Sequence, residues 1–210
     1  MNRLFLIILS LVISTNVNAD SFTALGNTYK YDLPNSLCSL NDNDPVEKFL
    51  LEKAKATSPQ LNVPVFIMDC DSLKTVKSGV PVETFRVYGG IKNLKQKYTY
   101  SKELFVKDME KKYGHNDDEL NAQAKRNMKA GADNAGLKGE LSGQTTKYIG
   151  KDEDSIYIGG SVVLRGVPIN YISAFSLKND VVFNIELYTD TSLMSVDEIY
   201  SLIKDIKNNL

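Results

Sequence analysis

The sequence predicts an α+β domain: a single unit over 20–210 built on a mostly antiparallel β-sheet with helices packed on its faces. Three observations carry that expectation. The final third alternates apolar and polar residues in three successive runs, joined by connections too short for anything but hairpins. Four other stretches change to a helical period and carry helix start or stop signals. No repeat, low-complexity tract or linker interrupts the chain, and the 191 residues left when 19 are taken from 210 suit one core.

The first 19 residues read as an export signal. Arg3 supplies a positive start, 4–13 form an apolar run broken only by Ser10, and Val17-Asn18-Ala19 precedes Asp20 in the small-residue pattern that signal peptidase recognises. About 10 apolar residues span roughly 15 Å as a helix, half of a ~30 Å hydrocarbon layer, so the segment is a cleavable tag and not an anchor. Cleavage is expected after Ala19, and no Cys follows the cut to carry a lipid. No later stretch is apolar enough to span a bilayer, which places the expected mature product in the periplasm or outside the cell, with no stable membrane anchor.

In the mature chain, 22–25 and 28–31 read as two short strands about a Gly26-Asn27 turn. Asp44-Pro45-Val46-Glu47 announces a helix, with Asp44 as cap, Pro45 where its missing N–H costs nothing, and Glu47 completing a box-like pattern. Val46, Phe49, Leu50 and Ala54 form the expected buried stripe, and Ser58-Pro59 stops it. Residues 61–70 read as a strand whose run Val65-Phe66-Ile67-Met68 implies burial on both faces. A short helix is expected over 72–77, closed by Gly79, and then a strand over 82–91.

From Ser101 the period changes. Leu104, Phe105, Asp108, Met109 and Tyr113 share one helical face, ended by Gly114. A second helix over 117–135 carries only a thin stripe of Leu120, Ala124, Met128, Ala132 and Ala135, so light packing is expected. Gly136, Gly139 and Gly143 then mark a loop. Strands follow through Ile156 and Ile158, through Ile169 to Leu177, and through Val181, Phe183, Ile185 and Leu187. The closing helix has a full start signal in Ser195-Val196-Asp197-Glu198, with Met194 placed to staple against Ile199. Val196, Ile199, Tyr200, Ile203 and Ile206 give it a broad apolar face for the sheet.

Removing 1–19 leaves 24 basic and 26 acidic residues, a formal charge of −2. That balance argues against a polyanion-binding surface, so no nucleic-acid partner is expected. Cys38 and Cys70 are the two cysteines, and in an oxidising compartment an even pair reads as a disulfide. It closes a loop of 33 residues, counting both ends, worth about 3.7 kcal/mol in the chain-entropy model.

The order of elements over 162–210 resembles the PsbP-like fold, shared by an extrinsic photosystem protein, the Ran-binding Mog proteins and assorted bacterial exported proteins. The resemblance rests on a strand, the Gly166-Val167-Pro168 turn, a strand through Tyr171, the run Val181-Val182-Phe183-Asn184-Ile185 and a terminal amphipathic helix. Asp32-Leu33-Pro34-Asn35-Ser36-Leu37-Cys38 also looks like the opening of some uncharacterised exported bacterial proteins. The resemblance implies an α/β/α sandwich and a binding or assembly role in place of catalysis. It brings no site residues, and 101–143 has no counterpart in it.

Chemistry is sparse. The single imidazole, His115, sits in a polar stretch between two helices, and no G-x-S-x-G elbow exists for it to serve. The acidic runs Asn41-Asp42-Asn43-Asp44, Asp117-Asp118-Glu119 and Asp152-Glu153-Asp154 lack the pattern of an EF-hand loop and read as solvated turns. One His and two paired thiols leave no zinc set. The late glycines have no G-K-[ST] or G-x-G-x-x-G context, so no cofactor is expected. Arginine is scarce, with Arg86, Arg126 and Arg165 against 21 Lys in the mature chain. Arg86 shares a strand face with Thr84 and Tyr88, and Arg165 ends a strand carrying Tyr157 and Ser161. A guanidinium beside aromatic and hydroxyl groups grips carboxylates bidentately, so Arg86, Tyr88, Tyr157 and Arg165 are the candidate ligand or partner surface.

The expected function is therefore that of a non-enzymatic envelope protein, binding another envelope protein or assisting assembly. Two alternatives stay open. A hydrolase of cell-wall or glycan substrates needs only a pair of carboxylates about 5–10 Å apart in a concave pocket. A carrier of a small apolar ligand needs an enclosed apolar cavity beneath the 117–135 helix.

Overall fold

The computed structural model describes residues 20–80, 85–134, 136, 139 and 141–210. The export segment 1–19, Thr84 and the start of the strand expected from 82 lie outside them. Chain order is β1 (Asp20–Ala24), β2 (Asn27–Tyr31), β3 (Leu37–Ser39), α1 (Pro45–Thr57), β4 (Leu61–Asp69), α2 (Cys70–Lys77), β5 (Tyr88–Lys97), α3 (Lys102–Tyr113) and α4 (Asp117–Asn134). There follow β6 (Leu141–Lys151), β7 (Ser155–Leu164), β8 (Val167–Lys178), β9 (Val181–Asp190) and α5 (Val196–Asn208). β1 and β2 pair as a separate hairpin, and the remaining strands form one sheet in the order β3-β4-β5-β9-β8-β7-β6. Every pairing in it is antiparallel. This is the α+β architecture expected from the sequence. Among the described residues no helix is long and apolar enough to cross a membrane.

One face of the sheet meets α5 and the β1–β2 hairpin. Val65, Ile67, Ile91, Ile172, Ala174, Phe183, Ile185 and Leu187 project there against Ile199, Ile203 and Ile206 of α5. The hairpin adds aromatic packing, with Tyr29 edge-on to Phe183 at 4.8 Å between centroids. α5 docks because Ser195 and Glu198 close a full capping box at its start, as the sequence predicts. Its far end is held by Lys207, which donates to Asp152 and Asp154 at 3.0 Å each.

The opposite face meets α1, α3 and α4. Phe105 and Val106 of α3 and Leu120 of α4 pack on Ile156, Ile158, Leu177 and Val182. α1 ends beside the sheet, where Ser58 Oγ accepts from Lys92 of β5 at 2.8 Å. α4 crosses α1 at Gly131, where a Cβ would come within 2.8 Å of the Thr57 carbonyl oxygen, closer than real Cβ contacts allow. The thin stripe of α4 thus reflects close approach to a neighbouring helix.

Several local expectations need correction. Asn27 pairs with Ala24 in the first hairpin, so its turn is Leu25-Gly26, at φ 49° and 87°, and not Gly26-Asn27. Arg165-Gly166 (53°, 83°) and Asn179-Asp180 (49°, 63°) turn in the same sense, the left-handed pair that two-residue hairpin loops require. The inward side of α1 is Glu47, Leu51 and Ala54, leaving Phe49 57% exposed. Glu47 is buried because its carboxylate accepts from the Asn41 N–H and from Lys77, both at 2.6 Å, and does not close a box on Asp44. Leu104 is exposed, and Val106 takes its expected place in the α3 core. β5 runs later than expected, and β6 begins inside the stretch marked as loop by Gly143 and continues through residues that carry no strand signal.

Cys38 and Cys70 form the expected disulfide, with Cα atoms 5.1 Å apart. It ties the edge strand β3 to the first residue of α2.

Candidate partner-binding cleft

A cleft of about 820 Å³ opens at the end of the sheet where β4 stops, β5 begins and α5 starts. Backbone bonds fix its walls. Cys70 N–H donates to the Ser36 carbonyl at 3.0 Å, and Leu37 N–H closes a turn on Pro34 at 2.8 Å. Asp69 joins two strands and a helix: its N–H donates to the Val87 carbonyl, and its carboxylate accepts from Ser72 N–H at 2.8 Å and from Val87 N–H at 3.4 Å. The Arg86 carbonyl accepts from Thr189 Oγ1 of β9.

The lining divides by exposure. Leu37 and Val87 are buried and Met194 and Leu202 half-buried, which makes an apolar floor. Asp71, Lys74, Arg86, Asp197, Glu198, Ser201 and Asp205 are exposed and form the rim. Lys74 pairs with Asp71 at 3.2 Å. The Glu198 carboxylate accepts from the Ser195 N–H at 2.8 Å and the Ser195 hydroxyl at 2.7 Å. These bonds, helped by the charge of Arg86, hold Glu198 below the usual carboxylate range. It stays ionised, whereas the general acid of a glycosidase needs the opposite shift. Asp205 accepts only from the Asn209 amide, at 3.2 Å, and Asp197 has no partner among the described residues. Leu193 and Val196, next in sequence to the lining residues Met194 and Asp197, are 45% and 42% exposed.

The four residues singled out from the sequence do not come together. Arg86 lies on the cleft rim, in the bend that leads into β5. Arg165 occupies the β7–β8 turn at the same end of the sheet, but β9 and β8 intervene. Tyr157 is buried under α5, edge-on to Tyr200 at 5.0 Å, with its hydroxyl donating to Asp152 at 2.5 Å. Tyr88 projects from the opposite face and stacks on Tyr188 at 5.1 Å. Tyr88 and Tyr157 therefore cannot serve one surface. His115 is exposed between α3 and α4.

Sequence reasoning missed a second polar constellation, on the face covered by α1, α3 and α4. Tyr88, Tyr188 and Tyr171 form a row across β5, β9 and β8, with stacked rings at 5.1 and 5.8 Å. The row continues over Gly160 of β7, where Tyr171 Oη bonds to Thr146 Oγ1 of β6. A Cβ on Gly160 would collide with the Thr145 carbonyl, so glycine lets the edge strand come close. Beside the row, Lys92 pairs with Glu186, and both are at least nine-tenths buried. Burial, and next the charge of Glu186, raise the Tyr88 and Tyr188 pKa values, so both phenols stay protonated. The one signal in the sequence is Glu186, a charge set between Ile185 and Leu187 in a strand of apolar alternation; Lys92, followed by Asn93 and Lys95, gives none.

No family model matches the chain, and no curated protein matches it. Among solved structures it is similar to the solution structure of cyanobacterial PsbP (CyanoP) from Synechocystis sp. PCC 6803. The identity is 11% and the TM-score 0.44, over 93% of this chain and 94% of that chain.

Proposed function

We propose that this chain is an exported envelope protein that works by binding, capturing a segment of a protein partner in the cleft between α2 and α5. One observation carries the reading: a cleft of about 820 Å³ with an apolar floor and a charged rim. Extended apolar surface rimmed by polar groups is the usual form of a protein-recognition site. The disulfide that ties the cleft wall to β3 supports an oxidising location. The export signal supports the same compartment, and N-terminal sequencing of the native product is expected to begin at Asp20.

The test is a blocked cleft. Ser201 is exposed on the α5 side of the rim, so Ser201→Trp fills the space without entering the core. Wild-type and Ser201→Trp protein are used as baits in an envelope extract after equal thermal stability has been verified. A partner retained by the wild type and lost by the variant is the expected result. The same proteins recovered in equal yield by both baits contradicts the reading.

A further inference from the structure

We propose that the segment the cleft takes is an extended, basic one, with two cationic side chains flanking an apolar anchor in the pattern Lys-x-Leu-x-Lys. The proposal rests on the cleft being the binding site and adds the chemistry of what fits.

Charge points to a cation. Among the described residues the rim sets Asp71, Asp197, Glu198 and Asp205 against Lys74 and Arg86, four acids to two bases, in a chain whose formal charge is only −1. Lys74 already pairs with Asp71, and Arg86 lends its charge to Glu198. Asp197 and Asp205 have no ion-pair partner among the described residues. The two helix starts at the cleft offer no competing anion site, because Asp69 caps α2 and Ser195 with Glu198 caps α5.

Spacing points to an extended chain. Asp197, Ser201 and Asp205 recur every four residues along one edge of α5, so the two carboxylates stand about 12 Å apart along the helix. In an extended strand, side chains on one face recur about every 6.7 Å, which puts those at i and i+4 about 13 Å apart. The side chain at i+2 then falls midway, opposite the small Ser201 and above Leu202 and Val87 of the floor. A helical ligand would need its i and i+8 side chains to span the same distance, about twice the length of chain for the same two contacts, so the extended segment is the shortest that serves both aspartates.

The probes are the blocked peptide Lys-Ser-Leu-Ser-Lys, its acidic counterpart Glu-Ser-Leu-Ser-Glu, and the respaced Lys-Lys-Leu-Ser-Ser. Each is titrated into the mature chain and followed by amide chemical shifts. The first is expected to bind most tightly, to weaken as salt rises, and to shift residues of α5 and Arg86. Asp197→Asn and Asp205→Asn should each weaken it about twofold to fivefold, as exposed ion pairs do. The double charge reversal Asp197→Lys with Asp205→Lys should transfer the preference to the acidic peptide. Equal binding of the basic and respaced peptides, or an affinity that the aspartate changes leave alone, overturns the proposal. If Ser201→Trp still abolishes partner capture in that case, the cleft reading stands and only the basic partner is lost. If Ser201→Trp changes nothing, both fall.

Discussion

The two faces of the sheet use opposite means to the same end. Under α5 and the first hairpin, burial is apolar: Phe183, Ile185 and Leu187 meet Ile199, Ile203 and Ile206, all fully enclosed. Under the other helices the same strands carry a tyrosine row and the Lys92–Glu186 pair, while pure hydrocarbon packing is confined to the α3 end. The first face gains from every methylene removed from water. The second gives up part of that gain to desolvation and recovers it only while each polar group has its partner. Stability should accordingly be non-directional on one face and pairwise on the other.

Substitutions can break that contrast. On the apolar face, Phe183→Ala should cost about 3–5 kcal/mol in urea unfolding, with no single second change restoring it. On the polar face, Lys92→Met alone should cost a similar 3–5 kcal/mol, because it strands a buried carboxylate. Adding Glu186→Leu should return stability to within about 1 kcal/mol of the wild type, since a well-packed apolar pair substitutes for a buried ion pair. If the double variant is no better than the single, the pair is not an isolated unit and the contrast fails.

A smaller effect is expected at the margin of the apolar face. Burial opposes ionisation of Asp152, but hydrogen bonds from Tyr157 and Lys207 and the charge of Lys207 outweigh it, and its pKa falls from 3.8 to about 2. A carboxylate depressed on folding contributes stability above its unfolded pKa and loses it as pH falls through the folded value. The stability that Asp152 adds should therefore fade between about pH 4 and 2, and Asp152→Asn should flatten that part of the acid limb. Thermal melts of both proteins across the range read the difference. Smallest of all, Tyr171→Phe should cost about 1 kcal/mol, the worth of its hydroxyl's bonds to Thr146 and the Thr145 carbonyl.

The same contrast explains what could be read from the sequence. β7, β8, β9 and α5 were legible because apolar residues recur there with the period of their element, and α1 because Asp44 and Pro45 mark its start. β6 was not. Leu141-Ser142-Gly143-Gln144-Thr145 is polar, and register shifts after Ser142 and after Tyr148 break its alternation. β5 was misplaced because Lys92-Asn93 reads as surface, and only its partners on β9 and after α1 make burial tolerable. Phe49 was assigned inward on hydrophobicity, when a salt-bridged Glu47 holds that side of α1. Within the candidate site, Arg86 stood out by rarity. Asp197 and Asp205 did not, since they line the cleft only because α5, packed on β8 and β9, passes near the end of β4 and the start of β5, a proximity no local pattern encodes.

The central claim is that partners meet this molecule at the α2–α5 cleft. A photoreactive benzoylphenylalanine placed at Ser201, and separately at exposed Tyr100 near the start of α3, tests it in intact cells. Irradiation should give a heavier, partner-containing adduct from position 201 and none from position 100. An adduct at position 100 with none at 201 would move recognition to the face covered by α1, α3 and α4 and contradict the account.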